Sequence, residues 1–260
     1  MHDIVNIYMI KLSVVIITYN EEKNIARCLD SVMTIADEII IVDSYSTDRT
    51  IPIAEKYNAR IFKQEFLGYK AQKNFANLKA SHDFILSLDA DEVLSEELTQ
   101  SIMEHKSNWN ADGYYMNRLN NYCGHWVKYG GWYPDRKLRL YDRTKGSWEN
   151  DVLHEAFVIK TKVGYLKGDL LHYTFPTIES HDKQIELFTD IAANGMHKAG
   201  KRVIFLKKYW SAAYKFIYCY IIRLGFLDGK FGWLIASKSA LANFKKYNKL
   251  ENLYREKGRL

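Results

Sequence analysis

Residues 12–43 read LSVVIITYNEEKNIARCLDSVMTIADEIIIVD, and this stretch decides the fold. LSVVII (12–17) is a short β-branched run of the kind that forms a buried strand. Behind a turn crowded with acids, Ile25, Leu29, Val32 and Met33 recur at helical spacing. EIIIVD (38–43) then repeats the strand signal. Downstream, STDRTIPIAEKY offers Ser46 or Thr47 as a helix cap with Pro52 near the helix start. ARIFK, YKAQKNFANLKA and DFILSL continue as strand, helix and strand. Such alternation predicts an α/β fold with a parallel sheet and helices on both faces.

In a sheet of this kind ligands bind beyond the carboxyl ends of the strands. Those ends carry Thr18, Tyr19, Asn20 and Glu21 after the first strand, Asp43 after the second, and Asp89 and Asp91 after the fourth. Strand direction alone therefore gathers them at one crevice. In FILSLDADEVLS (84–95) an apolar run ends in Asp89, Asp91 and Glu92, three like charges within four residues. Paired carboxylates suit Mg²⁺ or Mn²⁺, which complete their shells with water and substrate phosphate oxygens. An isolated DxD is more often a solvated helix start, because acids favour first turns. Its place at the carboxyl edge turns the reading toward a metal. Neither GxGxxG nor GxxxxGK[ST] occurs, so no glycine-rich phosphate cradle competes for that work.

At 260 residues and 47% hydrophobic, the chain can bury a full core. Its three cysteines show no CxxC spacing, which predicts neither a disulfide framework nor a zinc ribbon, and a reducing cytosol. MHDIVNIY (1–8) lacks the basic and apolar regions of a secretory signal, and no run of 18 uncharged apolar residues predicts a membrane span. The net charge of +6 is uneven: residues 201–260 hold 14 Lys or Arg against 3 acids, residues 1–200 hold 23 against 28. From about residue 112 the pattern changes to half-exposed strands around the loop YGGWYPD (129–135), and from 178 it is helical.

VVIITYNEEKNIARCLDSV, EIIIVDSYSTDRT, AQKNFA and ILSLDADE, in that order and spacing, resemble the family 2 glycosyltransferases with a GT-A fold. GGWYPDRKLRLY, VLHEAF and GFLDGKFG resemble the branch containing lipopolysaccharide core β-glucosyltransferases. The resemblance implies a GT-A type Rossmann-like sandwich with a mainly parallel central sheet and a helical C-terminal extension. Residues 1–110 would form the nucleotide-sugar-binding half, 111–177 the acceptor-side half and 178–260 the extension. The implied activity is inverting transfer of a hexose, glucose by this branch, from a nucleotide-diphosphate sugar to a saccharide or glycolipid acceptor. A UDP-sugar is the expected donor, and Mg²⁺ or Mn²⁺ the expected cofactor.

Carried over position by position, Thr18, Tyr19, Glu21 and Asp43 would line the nucleobase and ribose pocket. Lys73 would approach the donor diphosphate, Asp89 the ribose or a metal-bound water, and Asp91 the metal. His172, in LLHYTF, is a second metal candidate, with a hydrogen-bonded core histidine as its alternative. Inversion needs a base for the acceptor hydroxyl. Glu155, beside His154 in VLHEAF, occupies the place where the family carries it, with Asp135 as runner-up. Trp132, Asp135, Arg136 and Arg139 form the expected acceptor side; Arg pairs phosphate bidentately, while a solvated strand face is the alternative. Where the family often shows Gly in VDSGSTD, this chain has Tyr45.

The segment RVIFLKKYWSAAYKFIYCYIIRLGFLDGKFGW (202–233) interleaves cations with aromatic rings, as interfacial helices do. It predicts attachment to an anionic membrane surface on the cytoplasmic face, with packing on the core or a dimer interface as alternatives. A nucleic-acid partner would meet repulsion from the strand-end acids, so none is expected. A sugar nucleotidyltransferase or a non-catalytic nucleotide-sugar binder remain the competing classes.

Overall fold

The computed structural model describes residues 9–149, 155–201 and 206–256. The chain divides into two compact units, one of residues up to Arg118 with Asp135–His172, the other of Leu119–Pro134 with residues from Tyr173 onward.

In the first unit β1 (Leu12–Thr18) is buried along its whole length. It is flanked in parallel by β2 (Glu38–Asp43) and β4 (Phe84–Asp89), and β3 (Arg60–Lys63) joins β2, also in parallel. Side chains on a strand buried on both faces must all be apolar or paired, which is why LSVVII shows no alternation. Helix α1 (Ile25–Val32) buries Ile25, Cys28, Leu29 and Val32, a stripe at i, i+3, i+4 and i+7. Met33, expected on that stripe, is half-exposed because it lies beyond the last helical residue. The short α2 (Thr50–Ala54) and α3 (Tyr69–Lys79) link the next strands.

Beyond β4 the pairing turns antiparallel. β5 (Glu92–Leu94) follows a tight connection, and α4 (Glu96–Ser107) begins at Ser95, whose hydroxyl accepts from Leu98 N–H at 3.2 Å. The acids of the DADE run therefore precede the helix and do not form its first turn. β6 (Gly113–Tyr122), β8 (Asp135–Asp142) and β11 (Val163–Phe175) complete the sheet in the order β3-β2-β1-β4-β8-β6-β11-β5, with β7 (His125–Val127) paired to β6. A separate hairpin joins β9 (Gly146–Glu149) and β10 (Ala156–Ile159). At Gly168, φ is +83° and an added Cβ would lie 2.3 Å from the Leu98 nitrogen, so only glycine lets β11 pass the start of α4.

The second unit is dominated by α5 (Ile178–Lys198), α6 (Lys207–Ile217) and α7 (Gly229–Glu256). Thr177 and Ser180 form a capping box at the start of α5. GFLDGKFG forms a tight turn: a 3₁₀ turn over Gly225–Asp228 runs into α7. Asp228, buried, accepts from Tyr129 N–H at 2.9 Å and from Lys128 N–H at 3.3 Å. Among the described residues no helix is long and apolar enough to cross a membrane.

Candidate active site

The loops after β1 and β2 are stitched together at the carboxyl edge of the sheet. Asn20 N–H donates to Ser46 Oγ at 2.8 Å, and Thr47 N–H to Asn20 Oδ1 at 2.8 Å. Glu21 N–H donates to Thr50 Oγ1 at 2.7 Å. Asp43 is fully buried and accepts from both the N–H and the hydroxyl of Ser46, so it caps the turn at the strand end. Tyr45 holds the left-handed conformation, φ 62°, that the family's glycine would hold without strain.

Two buried polar atoms at this edge lack a hydrogen-bond partner among the described residues. They are Thr18 Oγ1 and Gln72 Oε1; Gln72 Nε2 donates to Ser44 Oγ at 2.9 Å. Native interiors leave few such groups unpaired, and both can bond a polar ligand. Tyr19 stands exposed beside them. Burial, reinforced by the charges of Asp91 and Asp48, pushes the Glu21 carboxyl up to about 7 against the hydrogen bond from Asn24.

At the end of β4 the side chains form a line of alternating charge. Arg118 Nη2 reaches Asp135 Oδ2 at 2.7 Å, and Arg118 Nη1 reaches Glu92 Oε1 at 3.3 Å. Arg139 Nη2 donates to Glu92 Oε1 at 3.1 Å and to Asp89 Oδ2 at 2.6 Å. Lys73 Nζ lies 3.1 Å from Asp89 Oδ1 and 3.0 Å from Glu155 Oε1. Lys73, Glu92 and Arg139 are buried, a setting that charges tolerate only in pairs. Burial pushes the Asp89 carboxyl up, but Arg139, Lys73 and Arg118 outweigh it and hold the group far below the usual carboxylate range. Lys73, predicted beside the donor diphosphate, is also held over the Trp148 ring at 4.6 Å.

The two aspartates of the DxD thus have different partners. Asp89 faces Arg139 and Lys73, whereas Asp91 Oδ2 lies 3.2 Å from His172 Nε2, across the β5–β11 pairing that sets His172 opposite Glu92. Asp91 and His172 were the two expected metal ligands, and they are adjacent. One carboxylate and one imidazole fit a borderline divalent ion such as Mn²⁺, which leaves its other positions to water and phosphate oxygens. Asp89, already serving two cations, fits that role poorly. Among the described residues no third His, Cys, Asp or Glu joins Asp91 and His172.

Glu155 opens on a cavity of about 390 Å³. Asp135, the runner-up, accepts from Arg118 Nε and Nη2 and lies 3.1 Å from Lys137. Burial raises its pKa, but Arg118 and Lys137 prevail and lower it, which makes it the poorer base. Arg136 is exposed, over the Tyr165 ring at 5.4 Å, whereas Arg139, expected with it on the acceptor side, is buried against Asp89 and Glu92. Trp132 lies in the second unit, packed with Tyr122, Phe175 and His181. His154 lies outside the described residues.

Sequence reasoning missed Glu92, Arg118, Gln72 and Trp148. Glu92 was legible as a charge but not as the carboxylate that joins two arginines. The unpaired charge of the DADE run was the available signal.

A parallel four-strand core, an antiparallel extension and acids at the carboxyl edge define a GT-A glycosyltransferase. Residues 13–164 match the model of Glycosyl transferase family 2. The chain belongs to that family. A protein of Rickettsia typhi named as an uncharacterized glycosyltransferase is 33% identical over 258 residues, 94% of this chain and 88% of its own length. The lipopolysaccharide core biosynthesis glycosyltransferase LpsC of Rhizobium meliloti is 29% identical over 231 residues, 84% of this chain and 82% of its own. The mannosyltransferase PcManGT of Pyrobaculum calidifontis, solved in complex with GDP-Man and Mn²⁺, shares the fold. It aligns at a TM-score of 0.51 and 15% identity over 97% of this chain and 77% of that one.

Proposed function

We propose that the chain transfers a hexose, glucose first among the candidates, with inversion from a UDP-sugar to a saccharide or glycolipid acceptor of the lipopolysaccharide core or a related surface glycan. The observation that carries this reading is the placement of Lys73 between Asp89 and Glu155, with Asp91 and His172 paired at the same sheet edge. The likeness to LpsC supports the acceptor class, and the ligands of the Pyrobaculum enzyme support a nucleotide sugar with a divalent ion.

Asp91 and His172 would hold that ion, which when bound stabilises negative charge on the departing nucleotide diphosphate. Thr18, Tyr19, Glu21, Asp43 and Gln72 would seat the nucleoside. Asp89, fixed by two cations, would meet the ribose. Lys73, dry and pinned on two sides, presents a fixed positive charge at the diphosphate. Glu155, positioned by Lys73, takes the proton of the acceptor hydroxyl as its oxygen attacks the anomeric carbon from the face opposite the leaving group. The assay is nucleoside diphosphate release from a panel of nucleotide sugars with a core oligosaccharide acceptor. Acceptor-dependent release supports the reading. Donor binding without release would make the chain a binder, and pyrophosphate release from a nucleoside triphosphate would make it a nucleotidyltransferase.

The second unit supports contact with an anionic membrane surface. Leu206, Trp210, Tyr214, Ile217, Ile221 and Ile222 are all at least half exposed, Trp210 at 74%. Exposed Arg223 and the partly buried Lys215 accompany them, while Asp228, the one acid in that stretch, is buried. Rings and aliphatic chains at headgroup depth with cations beside them are the interfacial arrangement. Sedimentation with anionic liposomes is expected to decline with salt, and no association at low salt would remove this contact.

A further inference from the structure

The proposed transfer leaves the acceptor's chemistry open, and one cavity of the first unit narrows it. Arg118, Arg136, Lys137 and Arg139 line the cavity of about 390 Å³ that also holds Glu155. We infer that this cavity receives an anionic group of the acceptor sugar, a phosphate or a carboxylate, and so decides which hydroxyl meets Glu155. The inference rests on the transferase reading above.

Charge is the first argument: four cations face one carboxylate in a single cavity. Arg118 and Lys137 are partly committed to Glu92 and Asp135. Arg136 has no carboxylate partner among the described residues and lies over the Tyr165 ring. Arg139 is the stronger observation. It is 3% exposed and serves Asp89 and Glu92 through Nη2, yet its Nε and Nη1 are buried with no hydrogen-bond partner among the described residues. Unpaired donors on a buried cation are costly to keep. The planar guanidinium fork matches the paired oxygens of phosphate and carboxylate, which would satisfy such donors.

The donor diphosphate is the competing occupant. The cavity lining includes none of Thr18, Asp43, Asp91 or His172, the groups assigned to the donor. A donor seated by them leaves the arginines to the acceptor. Placing an anion among them would bring the rest of the sugar beside Glu155.

The test is calorimetric titration of the full chain with glucose, glucose 6-phosphate and glucuronate, alone and with UDP and Mn²⁺ present. One or both charged sugars should bind at least tenfold more tightly than glucose, and which of them does names the anion. Saturating UDP should leave that binding in place. Arg136→Gln, a substitution at an exposed site, should weaken it roughly tenfold without changing UDP affinity, matching the loss of one charge-assisted contact. Equal binding of glucose and both charged sugars, displacement of the charged sugar by UDP, or an unaffected Arg136→Gln variant would overturn the inference. Failure of UDP to bind would strike the donor reading instead, with the charged-sugar comparison still read in its absence.

Discussion

Lys73 and Glu155, 82 positions apart, meet at 3.0 Å, and the same ammonium lies 3.1 Å from Asp89. One buried cation therefore ties the proposed base to the proposed donor edge. The pairing explains how a carboxylate at the end of a hairpin can be held in place.

Glu155→Gln keeps the side chain's shape and removes its capacity to take a proton. Donor binding should be unchanged, while turnover falls by about 10²–10⁴. Parallel measurement of UDP affinity and product formation checks this. Near-normal turnover would move the base elsewhere, with Asp135→Asn the next variant.

Arg139→Leu removes the cation shared by Asp89 and Glu92. Glu92 would stay buried, and Asp89 partly buried, with less compensation, and breaking a buried pair costs about 3–5 kcal/mol. Urea unfolding should show a loss of that order. A loss below about 1 kcal/mol would mean that Lys73 and Arg118 suffice to hold the two acids.

The raised pKa of Glu21 has a pH signature. Its carboxyl moves from the ordinary 4.5 to about 7 on folding, so the folded state favours the protonated form. That contribution to stability is complete below pH 4.5 and is lost as pH rises toward 7. Glu21→Gln should flatten the wild-type decline across this window in paired unfolding curves. Parallel curves for the two proteins would show that Glu21 titrates normally.

Tyr45 occupies a conformation that costs a residue with a Cβ about 1–2 kcal/mol. Glycine relieves that strain and loses about 0.5–1 kcal/mol to chain entropy. Tyr45→Gly should therefore stabilise the fold by up to about 1.5 kcal/mol, the difference of those terms. Thermal unfolding checks the sign, and destabilisation would show that the exposed ring makes contacts that matter.

Much of the proposed donor edge was legible because strand direction alone dictates it. Once LSVVII, EIIIVD and DFILSL are parallel, Thr18, Asp43 and Asp89 must end on one side. The stripe of Ile25, Leu29 and Val32 was equally readable from spacing. The role proposed for Glu155 came through resemblance, not from its local sequence. The burial of Arg139 was not legible, because a charged residue alternating with apolar ones reads as an exposed strand face. Its burial depends on Asp89 and Glu92, 50 and 47 positions away, which no local pattern shows. The antiparallel pairing of β8 with β4 is likewise a long-range choice. Gln72 and Trp148 carry residue types common in any core or helix, so only their surroundings mark them.

In the proposed reading Asp91 and His172 hold a divalent ion that holds the donor's diphosphate. Calorimetric titration with UDP, first without metal, then with Mn²⁺ and finally with chelator, tests it most directly in the wild type, Asp91→Ala and His172→Ala. Mn²⁺-dependent binding that chelator reverses is expected, abolished by Asp91→Ala and weakened about tenfold or more by His172→Ala, within the span seen for altered metal-site surroundings. UDP affinity that is the same with and without Mn²⁺, and unchanged in Asp91→Ala, would contradict it.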